Sequence, residues 1–268
     1  MAGSPASRDS AVRSPAMARW AVAGLAAVCC LAVAGAPAQA ESRAAAGGSA
    51  EAAVPSPDPF ALTARTAHLA QVVYPTTVRA RPGAGRRSAR LATQARWGGG
   101  PVRLLVLRSA LDRRERRWLR VRLPERPNDR AGWIRADHTR LRRTGWRVAV
   151  SLGSRTIAVR RFGHVVRRFS AVVGAPATPT PRGLFAIGER IRQPPGVLGP
   201  WALHLTAHSR VLDDYGGGKG RVAIHGRSGL LADPLGSARS HGCIRIEDRA
   251  VSWLAARAVE GTPVVVRR

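Results

Sequence analysis

Short runs in which apolar and polar residues alternate, broken by Gly and Pro, dominate most of this chain. The segment WRVAVSLGSRTIAVRRFGHVVRRFSAVVG (146–174) predicts three strands separated at Gly153 and Gly163, and WALHLTAH (201–208) and RVAIHG (221–226) predict two more. A period of two residues is typical of strands with one buried face. Helical spacing is found once, after Cys243, with a cap at Asp248 and an end at Gly261. The sequence therefore predicts a mostly β fold with one helix in its C-terminal region, whose buried face is Val251, Leu254, Ala255 and Ala258.

An earlier block, residues 66–144, carries its own strand pattern. VRLLVL (102–107), RWLRVRL (117–123) and GWIRA (132–136) are separated by turn formers, as in a small β-barrel. The stretch WLRVRLPERPNDRAGWI (118–134) resembles the end of bacterial SH3-like domains, with Asp129 in place of the turn glycine. The resemblance implies an SH3-like domain, and the alternative is an extra hairpin packed on the main domain.

The N-terminal 40 residues have the pattern of a secretory signal. Arginines precede an apolar run, Trp20–Ala36, and the small residues Ala38 and Ala40 frame a cleavage site. We therefore expect residues 1–40 to be a signal sequence and the protein to be secreted, with an uncleaved membrane anchor as the alternative and Met17 as a second possible start. Residues 41–65 begin with ESRAAAGGSAEAAVPSPDP and predict a flexible linker.

Cleavage at that site would remove Cys29 and Cys30 and leave Cys243 unpaired. An exported chain with one cysteine has no internal disulfide, so the thiol is either a buried inert group or a reactive one. Its setting, GSARSHGCIRI (236–246), favours reactivity. A neighbouring imidazole can lower the pKa of a thiol, and two histidines are candidates: His241, two residues upstream, and His225, at the end of a predicted strand.

The glycine and arginine beside this cysteine fit the same chemistry. Gly242 allows unusual backbone angles, so that N–H groups near Cys243 can converge as an oxyanion hole. Arg245 falls on the same side as Cys243 in an extended segment, where it can bind a substrate carboxylate or order the loop.

These residues together resemble a known signature. His225-Gly226, then residues 227–239, then Ser240-His241-Gly242-Cys243-Ile244-Arg245 is similar to the H-G…S-H-G-C-I-R motif of the YkuD-type L,D-transpeptidases. TPTPRGLF (178–185) resembles another segment of that family, and the match extends over about residues 146–267. The resemblance implies a YkuD-type β-sandwich or barrel catalytic domain at 145–268. It implies that Cys243 is the nucleophile and His225 the general base. It also implies that His241, as a further catalytic residue, and Ser240 shape the site and help to form the Cys243 thiolate. The Gly242 and Cys243 N–H groups would bind the oxyanion, and Gly226 and Arg245 would order the loop.

The chemistry that the resemblance implies is acyl transfer through a thioester. A stem tetrapeptide of peptidoglycan would acylate Cys243, and the side-chain amine of a second stem would form a 3→3 crosslink. Resolution by water would instead make the site an L,D-carboxypeptidase. Neither reaction needs a metal or an organic cofactor, and we expect a monomer that acts on peptidoglycan stem peptides.

Rival interpretations rest on fewer residues. His204 and His208 share a strand face and would suit zinc, but no further ligand motif accompanies them. A sortase would need a different cysteine setting. A non-catalytic, wall-binding protein is suggested by the net charge of +28, in which Lys219 is the single lysine among 44 basic residues. That charge would attract an anionic cell-wall polymer. Nucleic acid is disfavoured because aromatic residues do not alternate with the basic ones and because export separates the two.

Overall fold

The computed structural model describes residues 57–196, 198–214, 219–227 and 232–268. The predicted signal sequence and the linker up to residue 56 lie outside these described residues. No helix in the described ranges is long and apolar enough to span a bilayer.

The first part of the chain forms a seven-stranded antiparallel sheet. Its spatial order is β3-β2-β6-β5-β4-β1-β7, and its core includes Val78, Leu119 and Ile134, all fully buried. Whether this sheet is SH3-like stays a prediction. In chain order, the strands are β1 (Ala67–Val72), β2 (Thr76–Arg81), β3 (Ala84–Leu91), β4 (Arg103–Leu111), β5 (Arg117–Arg122), β6 (Ala131–Arg135) and β7 (Thr139–Thr144), with a 3-10 turn at Ala136–His138.

The second part forms an eight-stranded sheet and a small parallel pair. The predicted strands at 146–174, 201–208 and 221–226 are all present. In chain order, the strands are β8 (Trp146–Ser151), β9 (Thr156–Arg161), β10 (His164–Ser170), β11 (Val173–Gly174), β12 (Gly183–Arg192), β13 (Trp201–His208), β14 (Arg221–His225), β15 (Ala238–Ser240), β16 (Ile244–Arg245) and β17 (Pro263–Arg267). The large sheet has the order β10-β9-β8-β17-β12-β13-β14-β16, and β11 pairs with β15.

One α-helix, α1 (Asp248–Ala255), covers one face of the large sheet. Val251 and Leu254 are fully buried against sheet residues that include Leu203 and Ile224, each contributing about 1.5–3 kcal/mol through burial. A mostly β fold with a single helix is therefore confirmed for the described residues. Because α1 takes up the apolar face of β13 and β14, alternate residues of those strands face the opposite side.

The helix differs from the prediction at both ends. Glu247, not Asp248, is the N-cap residue, and it makes no side-chain capping hydrogen bond. The helix stops at Ala255, and Gly261, with φ of 83°, lies in the turn before β17. The carboxylate of Asp248 instead accepts the Arg227 N–H at 3.1 Å. Its role is therefore to hold the segment that follows β14, which a helix-capping rule cannot reveal.

The two sheets pack against each other. Leu105 and Ala67 of the first sheet are buried with Ala186 of β12, and Arg103 forms a 2.8 Å ion pair with the buried Glu260. All described residues thus belong to one compact unit.

Candidate active site

The predicted nucleophile and base lie on neighbouring strands of the large sheet. His225 is the last residue of β14 and is only 3% exposed, and Cys243 immediately precedes β16. The two strands are parallel, with His225 beside Arg245. Two residues earlier on both strands, the backbone of Ala223 lies beside the Cys243 thiol and favours its charged form. The imidazole and the thiol therefore share the sheet face that points away from α1.

The imidazole of His225 is arranged to act as a base. Its Nδ1 lies 2.7 Å from the carbonyl oxygen of Gly226. A carbonyl can only accept, so Nδ1 carries the proton and Nε2 keeps its lone pair. Burial lowers the pKa of His225 to about 4, although the Gly226 hydrogen bond opposes the shift. The ring is consequently neutral near pH 7 and can take a proton at Nε2.

The thiol of Cys243 is also neutral at rest. The residue is half-buried, and burial raises the pKa of the Cys243 thiol. The backbone of Ala223 and the charge of Arg245 act in the opposite direction and do not offset the burial. Desolvation outweighs the favourable contacts, which favours a neutral thiol over the resting thiolate expected from sequence. The pair is a thiol beside a neutral imidazole.

Ser240 shapes the turn that presents the cysteine. Its buried hydroxyl donates to the Cys243 carbonyl at 2.5 Å and accepts the Gly242 N–H at 3.1 Å. Gly242 has φ of 110°, a conformation that a residue with a side chain rarely adopts. Because its N–H is engaged by Ser240, Gly242 is a poor candidate for the predicted oxyanion hole. The Cys243 N–H, which donates to no group in the described ranges, is the better candidate.

The Thr-Pro-Thr-Pro segment supports the same turn from the side. Thr178 donates to the Ser240 carbonyl at 3.0 Å, and Thr180 donates to the Gly242 carbonyl at 2.9 Å. The Thr180 hydroxyl also accepts the Gly174 N–H at 2.9 Å. The motif at 178–185 thus acts structurally by fixing the carbonyls on either side of His241.

Arg245 orders the loop rather than facing open solvent. Its side chain is 6% exposed and forms an ion pair with Asp233. From sequence, Asp213, Asp214 and Asp233 are all interpreted as solvated loop acids. That interpretation holds for Asp213, whose side chain is 98% exposed, and is wrong for Asp233. A buried arginine is costly without a carboxylate partner, so the burial of Arg245 accounts for its pairing with Asp233.

The space around Gly226 leaves no room for a side chain. A Cβ atom at this position would lie 2.2 Å from Asp248 Oδ1 and 2.7 Å from the Cα of Gly199. Its N–H donates to the Leu198 carbonyl at 2.9 Å. Only glycine can therefore bring this backbone against the start of α1 while its carbonyl holds the His225 ring.

The other candidate histidines lie in different surroundings. His241 is exposed, and its catalytic role stays a prediction. His204, half-buried, pairs in register with Ala223 and so lies on the face of the reactive pair. His208 is separated from His204 by a register shift and is contacted by Asn128 of the first sheet. Within the described ranges, no three His, Cys, Asp or Glu side chains converge as metal ligands.

Comparison with known families agrees with this geometry. The family model for the YkuD L,D-transpeptidase catalytic domain matches residues 145–266. Residues 145–266 thus correspond to a YkuD L,D-transpeptidase catalytic domain. The resemblance inferred from the Cys243 motif is thereby confirmed.

Two curated relatives and two solved structures show how far the likeness extends. YkuD of Bacillus subtilis is 32% identical over 123 residues, which are 46% of this chain and 66% of that protein. YkuD of Bacillus licheniformis is 34% identical over 121 residues, 45% of this chain and 65% of that protein. This chain therefore spans slightly less than two thirds of either relative. L,D-transpeptidase 3 of Mycobacterium tuberculosis is 16% identical, covers 54% of this chain and 76% of its own, and has a TM-score of 0.39. The C442S mutant of Enterococcus faecium L,D-transpeptidase is 23% identical. The match covers 46% of this chain and 49% of that chain, with a TM-score of 0.33.

Proposed function

We propose that this chain is an exported cysteine L,D-transpeptidase that forms 3→3 crosslinks between diaminopimelate stem peptides of peptidoglycan. The observation that carries the proposal is the pair of Cys243 and His225 on adjacent strands, with the imidazole fixed in the tautomer that leaves Nε2 free. The match of residues 145–266 to the YkuD catalytic domain supports the class of reaction.

The first half of the reaction acylates the enzyme. As the Cys243 sulfur attacks the carbonyl of the L-centre of diaminopimelate, its proton passes to His225 Nε2. The carbonyl oxygen becomes an oxyanion, which the Cys243 N–H is placed to bind. Collapse of this intermediate breaks the peptide bond. The proton on Nε2 goes to the departing amine of D-Ala, and a thioester remains.

The second half releases the enzyme. The side-chain amine of another stem peptide attacks the thioester carbon and gives a proton to Nε2. Collapse then forms the new amide and expels the sulfur, which recovers the proton from His225. If water replaces the amine, the same steps yield a tripeptide, which is the carboxypeptidase reaction. A resting neutral pair suits both halves, because no charge has to be buried before substrate arrives.

The positive charge of the chain supports a location at the cell wall. Secretion through the predicted signal would bring a strongly basic protein, of net charge +28 before cleavage, against anionic wall polymer. Retention of the protein on isolated walls should then fall as salt concentration rises, because exposed charges are screened. Retention that ignores salt would remove this part of the proposal.

The decisive experiment incubates the purified protein with a disaccharide tetrapeptide and measures product masses. We expect a crosslinked dimer with loss of D-Ala, and one carbapenem adduct per chain. Cys243→Ala should abolish both, and His225→Ala should lower both nearly as far, because paired groups act as a unit. His164→Ala, at an exposed position on β10, is the matched control and should leave both unchanged. Tripeptide alone would identify a carboxypeptidase, and neither product nor adduct would favour a non-catalytic wall-binding protein.

A further inference from the structure

An exposed tryptophan stands on the loop between β3 and β4. The side chain of Trp97 is 63% exposed, although tryptophan is usually one of the more buried residues. The guanidinium carbon of Arg96 lies 5.3 Å from the centre of its ring. Leaving an indole in solvent does not stabilise the fold. Exposed apolar surface of this kind often marks a binding site.

A buried carboxylate holds the backbone of this loop in place. Glu189 of β12 is only 4% exposed, and one of its oxygens accepts the N–H groups of Trp97 at 2.9 Å and Gly98 at 2.5 Å. Its other oxygen lies 3.4 Å from Arg221. Burying a carboxylate is costly unless it is well paired. Here the pairing fixes the position of a loop whose most prominent side chain points into solvent.

Glu189 lies on the same sheet face as the reactive pair. It pairs in register with His204, and His204 pairs with Ala223, whose backbone contacts the Cys243 thiol. Residues in register across neighbouring strands project to the same face. Three strand spacings separate Glu189 from Cys243, which is about 14 Å. The Trp97 loop therefore stands at the far end of a row that begins at the nucleophile.

This distance matches the donor substrate of the proposed function. The attacked carbonyl belongs to the third stem residue, so three extended residues, about 10 Å, separate it from the end attached to the glycan. With the stem peptide laid along this row, a sugar ring beyond that end would fall near the Trp97 loop. The indole offers a flat apolar face of the kind against which the C–H face of a pyranose ring packs. A positively charged ligand is disfavoured at this ring because the guanidinium of Arg96 already lies beside it.

We propose that Trp97 is a binding residue for the glycan portion of the donor, stacking against a pyranose ring of the disaccharide that carries the stem peptide. This inference rests on the proposed function, because the chemistry at Cys243 defines which end of the row holds the peptide. The first sheet thereby contributes directly to recognition of substrate by the YkuD domain.

The test compares two ligands that differ only in the sugar. Binding of disaccharide tetrapeptide and of free tetrapeptide is measured by calorimetry on protein carrying Cys243→Ala, which cannot turn over. Adding Trp97→Ala should weaken binding of the disaccharide tetrapeptide about tenfold and leave the free tetrapeptide unchanged. Trp97→Phe should retain most of the affinity. Tyr74→Ala removes another aromatic side chain that is 63% exposed and should change neither ligand.

Two results would overturn the inference. One is equal affinity of the unsubstituted Trp97 protein for both ligands, and the other is a Trp97→Ala loss of the same size for both. Carbapenem acylation of the otherwise wild-type Trp97→Ala protein should proceed at the normal rate, because that probe carries no sugar. Failure of wild-type protein to react with carbapenem or peptide would instead contradict the proposed function, while the calorimetric comparison would still decide the role of Trp97.

Discussion

Asn128 binds the backbone of His208 as a neighbouring strand would. Its side-chain amide donates to the His208 carbonyl at 2.8 Å and accepts the His208 N–H at 2.8 Å. Arg126, two residues earlier, donates to the carbonyls of Ser209 at 2.7 Å and Leu212 at 2.8 Å. A loop of the first sheet therefore supports the end of β13 and the start of the connection that leads back to His225.

Asn128→Ala should destabilise the protein because it leaves both backbone groups of the buried His208 without these partners. Each such group costs about 1–3 kcal/mol, so we expect a loss of about 2–6 kcal/mol in urea unfolding. Asn128→Asp keeps an acceptor for the N–H but no donor for the carbonyl, and should lose about half as much. Equal stability of Asn128→Ala and wild type would show that the two Asn128 hydrogen bonds do not support this segment.

Asp233→Asn should disrupt the loop that carries the cysteine. The buried guanidinium of Arg245 would lose its anionic partner, at a cost of about 3–5 kcal/mol. We expect a lower unfolding midpoint together with slower carbapenem acylation. Asp213→Asn is the matched control, because that carboxylate is 98% exposed and lies 3.5 Å from Arg126, and its effect should be within about 0.5 kcal/mol. Similar losses in the two variants would contradict the assignment of Arg245 as a loop-ordering residue.

Thr180→Val tests the support of the turn at Gly242. Valine has nearly the shape of threonine but removes the hydroxyl that joins Gly174 to Gly242. We expect a loss of about 2–3 kcal/mol in unfolding free energy and slower acylation by carbapenem. Thr66→Val, at a half-buried position whose hydroxyl contacts the exposed Thr63, should be silent in both measurements. Unaltered acylation in Thr180→Val would mean that the turn holds its geometry without this bridge.

The resting state of the thiol can be observed directly. Because burial raises the pKa of the Cys243 thiol, the free enzyme should show no thiolate absorbance in the ultraviolet at neutral pH. Iodoacetamide should react slowly there and faster as pH rises. His225→Ala should leave this alkylation unchanged at neutral pH while removing carbapenem acylation. A thiolate signal at pH 7 that disappears in His225→Ala would instead indicate an ion pair.

The free energy of unfolding should decline in mild acid because three buried histidines resist protonation in the folded state. Burial lowers the pKa of His204, His208 and His225 to about 4 each. In the unfolded chain their pKa is about 6.5, so below that pH the unfolded state binds more protons. Stability is therefore full above about pH 6.5 and declines as pH falls to about 4, by up to about 3 kcal/mol for one fully buried histidine. Urea midpoints measured across this range should fall, and His225→Gln should reduce the slope. A flat profile would show that these rings are hydrated.

Local patterns explain which features the sequence could predict. The strands at 146–174, 201–208 and 221–226 follow from alternation, because one face of each is buried. The Cys243 turn was recognisable because its residues are consecutive. Strand β3 was missed because its arginines and small residues are mostly exposed and leave no apolar period.

Contacts between distant segments account for most of what was missed. The Asp233–Arg245 pair, the use of Glu189 by the Trp97 loop and the pairing of Asn128 with His208 all join residues on different elements. None leaves a periodic trace in the sequence. The neutral state of the thiol was missed for a related reason, since desolvation depends on everything packed around the sulfur and not on its sequence neighbours.

The position of β17 has a consequence for how the polypeptide acquires its shape. Residues Pro263–Arg267 are the last strand in the chain, yet they lie between β8 and β12 in the interior of the large sheet. Until they arrive, β8 and β12 each present an unpaired edge, and such edges promote aggregation. The large sheet can therefore close only after residues 263–267 have been synthesised and have left the ribosome. Removal of those few residues would leave two half-sheets without a common strand.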